Sequence, residues 1–271
     1  MNFRRLTALC LLWASTWSLV GCGGSSTGSA GTNPTSPAAV QPGVYYAAMN
    51  GQDFYGVISP ASWGSNWYGL HYAALNPDIF SGGLTGSGTA SAAVSTLKYF
   101  QNTASIVLSG TASMKSAGTG QLSGDLNLVT TTPPYKQNLA FAATAPASLN
   151  YGQPAQWADI ANSWTGRLSY GLGSNAAFTL NIASGTGAIS GSIFGVDCQW
   201  TASNSSVEPA ADVNIFKLKL TMAVSTACDF KGQTLTGVAF VQKNPAAGVS
   251  QRLIWVATTP EGKGMSFKAD R

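Results

Sequence analysis

The stretch Phe216-Lys217-Leu218-Lys219-Leu220-Thr221-Met222 decides the fold. Its apolar and polar residues alternate strictly, and a period of two is the mark of a half-buried strand. The habit continues outward in both directions. Trp164, Gly166, Leu168 and Tyr170 alternate with Thr165, Arg167 and Ser169, and Phe178, Leu180 and Ile182 alternate with Thr179 and Asn181. Leu253, Trp255 and Ala257 keep the same spacing, as do Met265 and Phe267. Turn signals separate these runs: Asn50-Gly51, Gly173-Ser174-Asn175, Asn244-Pro245 and Pro260-Glu261-Gly262. The best helical candidate, Pro154 to Ser163, is short and leads into a strand. The pattern predicts an all-β chain.

A tripeptide of apolar residue, Ser or Thr, then Gly recurs at Leu84-Thr85-Gly86, Leu108-Ser109-Gly110, Leu122-Ser123-Gly124, Trp164-Thr165-Gly166, Ile189-Ser190-Gly191 and Leu235-Thr236-Gly237. In a strand the apolar residue and the glycine share a face. A glycine on the inner face of a curved sheet leaves room for a large neighbour across a barrel. Repeated use predicts an antiparallel meander closing into one or two small β-barrels. The segment Gly118 to Leu126 also resembles Gly185 to Ile193 at an offset of 67 positions, which points to two units in tandem. The expected organisation is a signal segment over 1–21, a lipidated cysteine and linker over 22–42, a first barrel unit over 43–147 and a second over 148–271.

The amino-terminal segment has three parts. Arg4-Arg5 is the positive end, and Leu6 to Val20 is an apolar run of fifteen residues. That run is shorter than the roughly 20 residues of a membrane-spanning helix and fits the apolar region of a secretory signal. Leu19-Val20-Gly21-Cys22 then resembles the bacterial lipobox, in which small residues admit the protease and the cysteine sulfur accepts the lipid. The resemblance implies cleavage before Cys22, lipidation on it and anchoring to a membrane, since several acyl chains hold stably where one does not. Gly23 in place of Asp implies onward sorting to the outer membrane, by the same likeness. Residues 23–42 are nearly all small, polar or Pro and read as a flexible tether. They hold a Gly-x-Ser-x-Gly match, Gly24 to Gly28, which lacks the strand-turn-helix setting that a nucleophile elbow requires.

The pattern Gly43-Val44-Tyr45-Tyr46, Phe54-Tyr55-Gly56-Val57-Ile58, Trp164-Thr165-Gly166, Cys198, Asn214-Ile215-Phe216, Cys228 and Thr236-Gly237-Val238-Ala239 resembles a group of uncharacterised lipoproteins of Gram-negative bacteria. That likeness implies architecture and cellular address and brings no activity with it. At the level of fold the chain also resembles the small barrels of surface lipoproteins that bind host proteins.

Composition narrows the chemistry. Of 271 residues, 45% are hydrophobic, so a sizeable core can form, and only 9% are charged, against roughly 25% in an average soluble protein. The chain has 14 basic and 10 acidic residues. Removing Arg4 and Arg5 with the signal leaves 12 against 10, a balance of +2, with no basic cluster, which argues against nucleic acid as a partner. His71 is the one histidine and stands in an aromatic strand, where a structural role is expected. The carboxylates are scattered, and no spacing predicts a metal site or a cofactor. Cys198 and Cys228 are the cysteines left once Cys10 is removed and Cys22 acylated. In an oxidising envelope they are expected to pair. Such a bond would close a loop of about 30 residues and contribute roughly 3–4 kcal/mol by chain entropy. Trp63, Trp67, Tyr68 and Tyr72 are candidate binding aromatics: exposed they would dock a glycan or protein, buried they would be barrel core.

The reading is therefore a lipid-anchored envelope protein, not an enzyme, acting as a binding or surface-interaction module toward an envelope or extracellular protein or glycan. The alternatives are a structural envelope component and a hydrolase with an unrecognised site. Radiolabelled palmitate is expected to enter the wild-type protein and not Cys22→Ser; equal labelling would remove the anchor.

Overall fold

The structure, a computed structural model, describes residues 39–49, 51–72, 77–102, 104–131, 134–144, 152–171, 175–194, 204–223 and 230–271. Cys10, Cys22, Cys198, Cys228 and the segment Gly24 to Gly28 lie outside them, and with them the lipidation and disulfide expectations.

The fold is all-β. The first eight strands are β1 (Gly43–Met49), β2 (Gln52–Ile58), β3 (Asn66–His71), β4 (Asp78–Thr85), β5 (Ser91–Gln101), β6 (Ile106–Gly118), β7 (Gln121–Thr131) and β8 (Pro134–Thr144). They form an antiparallel meander closed into a barrel, with the seam between β1 and β8 at Tyr46 and Thr144. A single helical turn, α1 (Trp157–Ile160), precedes the second meander. Its strands are β9 (Asn162–Ser169), β10 (Asn175–Ile182), β11 (Ala188–Phe194), β12 (Ser205–Pro209), β13 (Phe216–Thr221), β14 (Thr234–Ala246), β15 (Val249–Thr258) and β16 (Gly264–Asp270). This barrel closes between β16 and β9 over a register running from Ser266 opposite Ser169 to Ala269 opposite Gly166.

Aromatic side chains occupy the interior of each barrel. In the first barrel Phe54, Trp67 and Phe80 are wholly buried, Phe80 stacks on Tyr99 with ring centroids 4.8 Å apart, and Phe141 lies 5.4 Å from Phe54. In the second, Trp164, Phe178, Phe216, Trp255 and Phe267 do the same. An apolar gap there, lined by residues such as Leu180, Leu218 and Trp255, is too narrow to admit a water molecule. Ile160 of α1 lines this gap and is fully buried, and the Trp164 indole N–H donates to the Ile160 carbonyl at 2.8 Å. The short helical turn expected within Pro154 to Ser163 is this one turn, which leads into β9 and packs into the second barrel.

Two of the six recurrent glycines, Gly124 and Gly191, are under rings, and those rings come from an adjacent strand rather than from across the barrel; Gly110, Gly166 and Gly237 stand against the backbone of the neighbouring strand. A Cβ on Gly124 would stand 2.8 Å from the Phe141 ring on β8, and one on Gly191 2.7 Å from the Phe178 ring on β10. The two segments of the 67-position repeat occupy non-equivalent places. Gly118 to Leu126 leads into the seventh strand of its barrel, and Gly185 to Ile193 into the third of its own. The likeness marks the same hairpin chemistry used twice, not the barrel repeat. Asn244-Pro245 also differs from expectation. Asn244 takes a left-handed φ of 50° within a bulge, β14 runs on to Ala246, and the chain reverses at Ala247-Gly248.

The two barrels belong to one compact unit, Pro37–Arg271. Their outer faces share a third apolar cluster. Tyr55, Val57, Tyr68, Leu70, Ile79 and Phe100 from β2 to β5 meet Val238, Phe240, Ile254 and Val256 from β14 and β15. The Tyr55 and Phe240 rings lie 5.6 Å apart. A buried polar contact sits beside this cluster. The Asn102 side chain accepts from the Gly171 N–H at 2.6 Å and donates to the Pro77 carbonyl at 3.3 Å, while its own N–H donates to Asp78 at 3.2 Å. Asn102→Ala leaves the Gly171 N–H and the Pro77 carbonyl without these partners inside the protein. It is expected to cost about 1–3 kcal/mol in urea unfolding; an unchanged midpoint would show that the contact contributes nothing.

Candidate functional site

The candidate site follows from the junction, because two convex barrels in contact leave concave grooves along their rim. The larger groove is a cleft of about 490 Å³, within the usual size of small-molecule sites. Barrel one contributes Asp53, the second residue of β2, and Tyr72 and Pro77, which flank the β3–β4 connection. Barrel two contributes Arg167, Lys268 and Asp270 from the outer faces of β9 and β16, with Thr165, Ser169 and Ser266 beside them.

Period-two geometry puts these charges where they are. On β16, Phe267 and Ala269 point into the barrel core, so Lys268 and Asp270 point out. On β9, Leu168 points in and Arg167 out. The cross-strand register then sets the pairs. Arg252 on β15 stands opposite Asp270, and Lys268 stands opposite Arg167. The first is a bidentate ion pair, Nε to Oδ1 at 2.5 Å and the second guanidinium nitrogen to Oδ2 at 2.7 Å. That guanidinium holds the Asp270 carboxyl below the usual carboxylate range. The second pair joins like charges. Burial lowers the Lys268 ammonium, with Arg252 adding to it, and its Nζ sits 5.3 Å from the centre of the Tyr72 ring.

The other groups are partly committed. Tyr46 donates to Asp53 at 2.7 Å, a bond that raises the Tyr46 phenol. Tyr55 is pushed up to about 12, chiefly by burial and then by the Asp53 charge. Tyr72 is raised by burial, and its hydroxyl is enclosed with no hydrogen-bond partner among the described residues.

The four aromatics singled out in the sequence do not form one docking face, because neighbours in a strand point to opposite sides of the sheet. Trp67 is in the core of the first barrel, and Tyr68 faces the second barrel and bonds to Thr236. Trp63 is half-buried in a smaller groove of about 150 Å³ with Ser59, Asn66 and Lys217. Tyr72 alone among the four lines the large cleft. His71 is buried at the end of β3 opposite Asp78, with its Nε2 unbonded. Asp78 is taken by the Tyr99 hydroxyl at 2.7 Å and the Asn102 N–H. Among the described residues no group of three His, Cys, Asp or Glu side chains converges as a metal site would require. Sequence reasoning missed Arg167, Lys268, Asp53 and Asp270. The alternation places Arg167 on the outer face, but the pairing of β9 with β16 has no local signature.

No protein-family model matches the chain, and no curated protein matches it. Two solved structures are similar at low scores. One is a protein of unknown function of the DUF3598 family from Nostoc punctiforme, 9% identical, covering 84% of this chain and 94% of that one, with a TM-score of 0.29. The other is a double mutant of the vaccine antigen transferrin-binding protein B from Haemophilus parasuis, 15% identical, covering 80% of this chain, with a TM-score of 0.27. This chain spans 53% of the latter's length. Neither likeness bears on what this chain binds.

The Arg252–Asp270 pair carries a pH signature. A carboxyl depressed in the folded state contributes stability that is present above its unfolded value, about 3.9, and is lost as pH falls through the folded value. Asp270→Asn is expected to lower the melting temperature at pH 7 and to flatten its decline below about pH 4. Parallel melting curves from pH 3 to 7 would show that the pair does not couple to folding.

Proposed function

We propose that this chain is a lipid-anchored binding module of the cell envelope that takes a polar ligand, a glycan or a segment of an envelope or extracellular protein, in the cleft between its barrels. The observation that carries the reading is the contrast between aromatic-packed barrel interiors and an open polar cleft at their junction. Small barrels that bind in the lumen keep it open; here aromatic side chains occupy both. The lipobox-like Leu19-Val20-Gly21-Cys22 supports the anchor, Gly23 supports an outer-membrane address, and the polar segment 23–42 supports reach from the surface. The reading is one of binding rather than catalysis. Asp270 is held by Arg252 and Asp53 accepts from Tyr46, an arrangement that suits recognition better than proton transfer.

Thr165 is exposed on the cleft wall, so Thr165→Trp fills the cleft without touching either core. On an array of bacterial and host glycans and extracellular peptides, the wild-type protein is expected to retain a polar ligand that Thr165→Trp loses and Lys219→Gln, on the exposed face of β13, keeps. Retention equal in all three proteins would place binding elsewhere and overturn the proposal.

A further inference from the structure

We infer that the cleft is an anion site, in which Arg167 and Lys268 together hold one compact anionic group, a carboxylate or phosphate, on a small hydroxyl-bearing molecule. This deepens the reading of the cleft as a binding site and rests on it.

Three observations converge. The first is the cross-strand pair itself. Residues directly opposite in an antiparallel pair have Cβ atoms about 4.5–5.5 Å apart, and like charges there destabilise. Arg167 and Lys268 are such a pair, on the outward face and on the wall of the cleft. One strand over, the same sheet solves the same problem by opposing Arg252 to Asp270. The sheet therefore tolerates repulsion at one position that it neutralises at the next.

The second is that the Lys268 ammonium forms no ion pair among the described residues, although two carboxylates line the same cleft. Both oxygens of Asp270 are bound by Arg252, and Asp53 is engaged by the Tyr46 hydroxyl. Lys268 is half-buried and rests on the Tyr72 ring, a contact that stabilises the cation without neutralising it. A half-buried cation that no carboxylate touches directly among the described residues gains from a counter-charge brought close to it. An anion entering between it and the Arg167 guanidinium would supply that charge, and guanidinium geometry matches carboxylate and phosphate oxygens in pairs.

The third is the remainder of the lining. Thr165 and Asp53 are exposed at the cleft and offer a hydroxyl and a carboxylate, which suit the hydroxyl groups of a carrier. Pro77 and Tyr72 supply an apolar side. A cleft of this size and lining fits an acidic sugar or a sugar phosphate better than a bare ion or a long lipid chain.

The probes are D-glucuronate, glucose 6-phosphate, inorganic phosphate and neutral D-glucose, titrated calorimetrically into the full lipid-anchored chain in detergent at low ionic strength. Glucuronate, glucose 6-phosphate or both are expected to bind in the millimolar range and glucose not at all, with the stronger of the two identifying the carboxylate or the phosphate as the natural group. Inorganic phosphate is expected to compete with whichever binds. Arg167→Gln and Lys268→Gln should each weaken binding by about tenfold or more, as loss of one charged hydrogen-bonding partner does, and Lys219→Gln should leave it unchanged. Without any anion, Lys268→Gln should melt about 1–3 °C above the wild type, because the repulsion is gone. Binding that survives both substitutions, or no binding of any anion at tens of millimolar, overturns the anion site. If Thr165→Trp still abolishes retention of an uncharged ligand in that second case, the cleft stands as the binding site and only its anion chemistry falls.

Discussion

The contact between the outer faces of the two barrels is the constraint on which the rest depends. An eight-stranded barrel buries its apolar residues inside and ordinarily shows water a polar exterior. Here stretches of β2, β3, β14 and β15 are apolar on both faces, and the outer set, Tyr55, Val57, Leu70, Phe240, Ile254 and Val256 among them, is buried only because the other barrel covers it. Each such side chain, fully buried, is worth about 1.5–3 kcal/mol relative to exposure. Neither barrel is a self-sufficient surface, and the cleft exists because two cylinders are held side by side.

How far the sequence reveals this depends on the strand. Phe216 to Thr221, Trp164 to Ser169 and Phe178 to Ile182 alternate cleanly because one face is core and the other solvent, and there the fold class is legible. At the junction the alternation disappears. Phe54-Tyr55-Gly56-Val57-Ile58 and Val238-Ala239-Phe240-Val241 are buried throughout, as the middle of a sandwich would be. A continuous apolar run announces a strand buried on both faces. It does not say what covers the second face. Trp67 and Tyr68 show the same limit: they are adjacent in sequence, and one faces the first barrel's interior while the other faces the second barrel.

The cleft is less legible still. Arg167 and Lys268 are neighbours only because the meander closes on itself, and closure joins the first strand of the barrel to the last. Tyr72 and Asp53 arrive from the other barrel. No window of sequence contains the set, and the dispersed charges of a weakly charged chain give no reason to single any of them out. The local violation is the pointer that only structure exposes. In a natural sheet, pattern, packing and charge agree nearly everywhere, and positions where they conflict concentrate at functional sites.

The junction also sets an order of events for the growing chain. Tyr55 and Gln242, whose side chains meet across it at 3.5 Å, are 187 positions apart. Contacts of such separation form late and slowly. The first barrel can close its own hydrogen bonds once β8 has emerged, yet its apolar outer face must wait for β14 and β15, near the end of the chain. During that interval a nearly finished domain displays an uncovered aromatic surface, the kind of species that aggregates. The fold thus makes the molecule's most vulnerable moment a half-made one, and places the demand for a chaperone on the time between its two barrels.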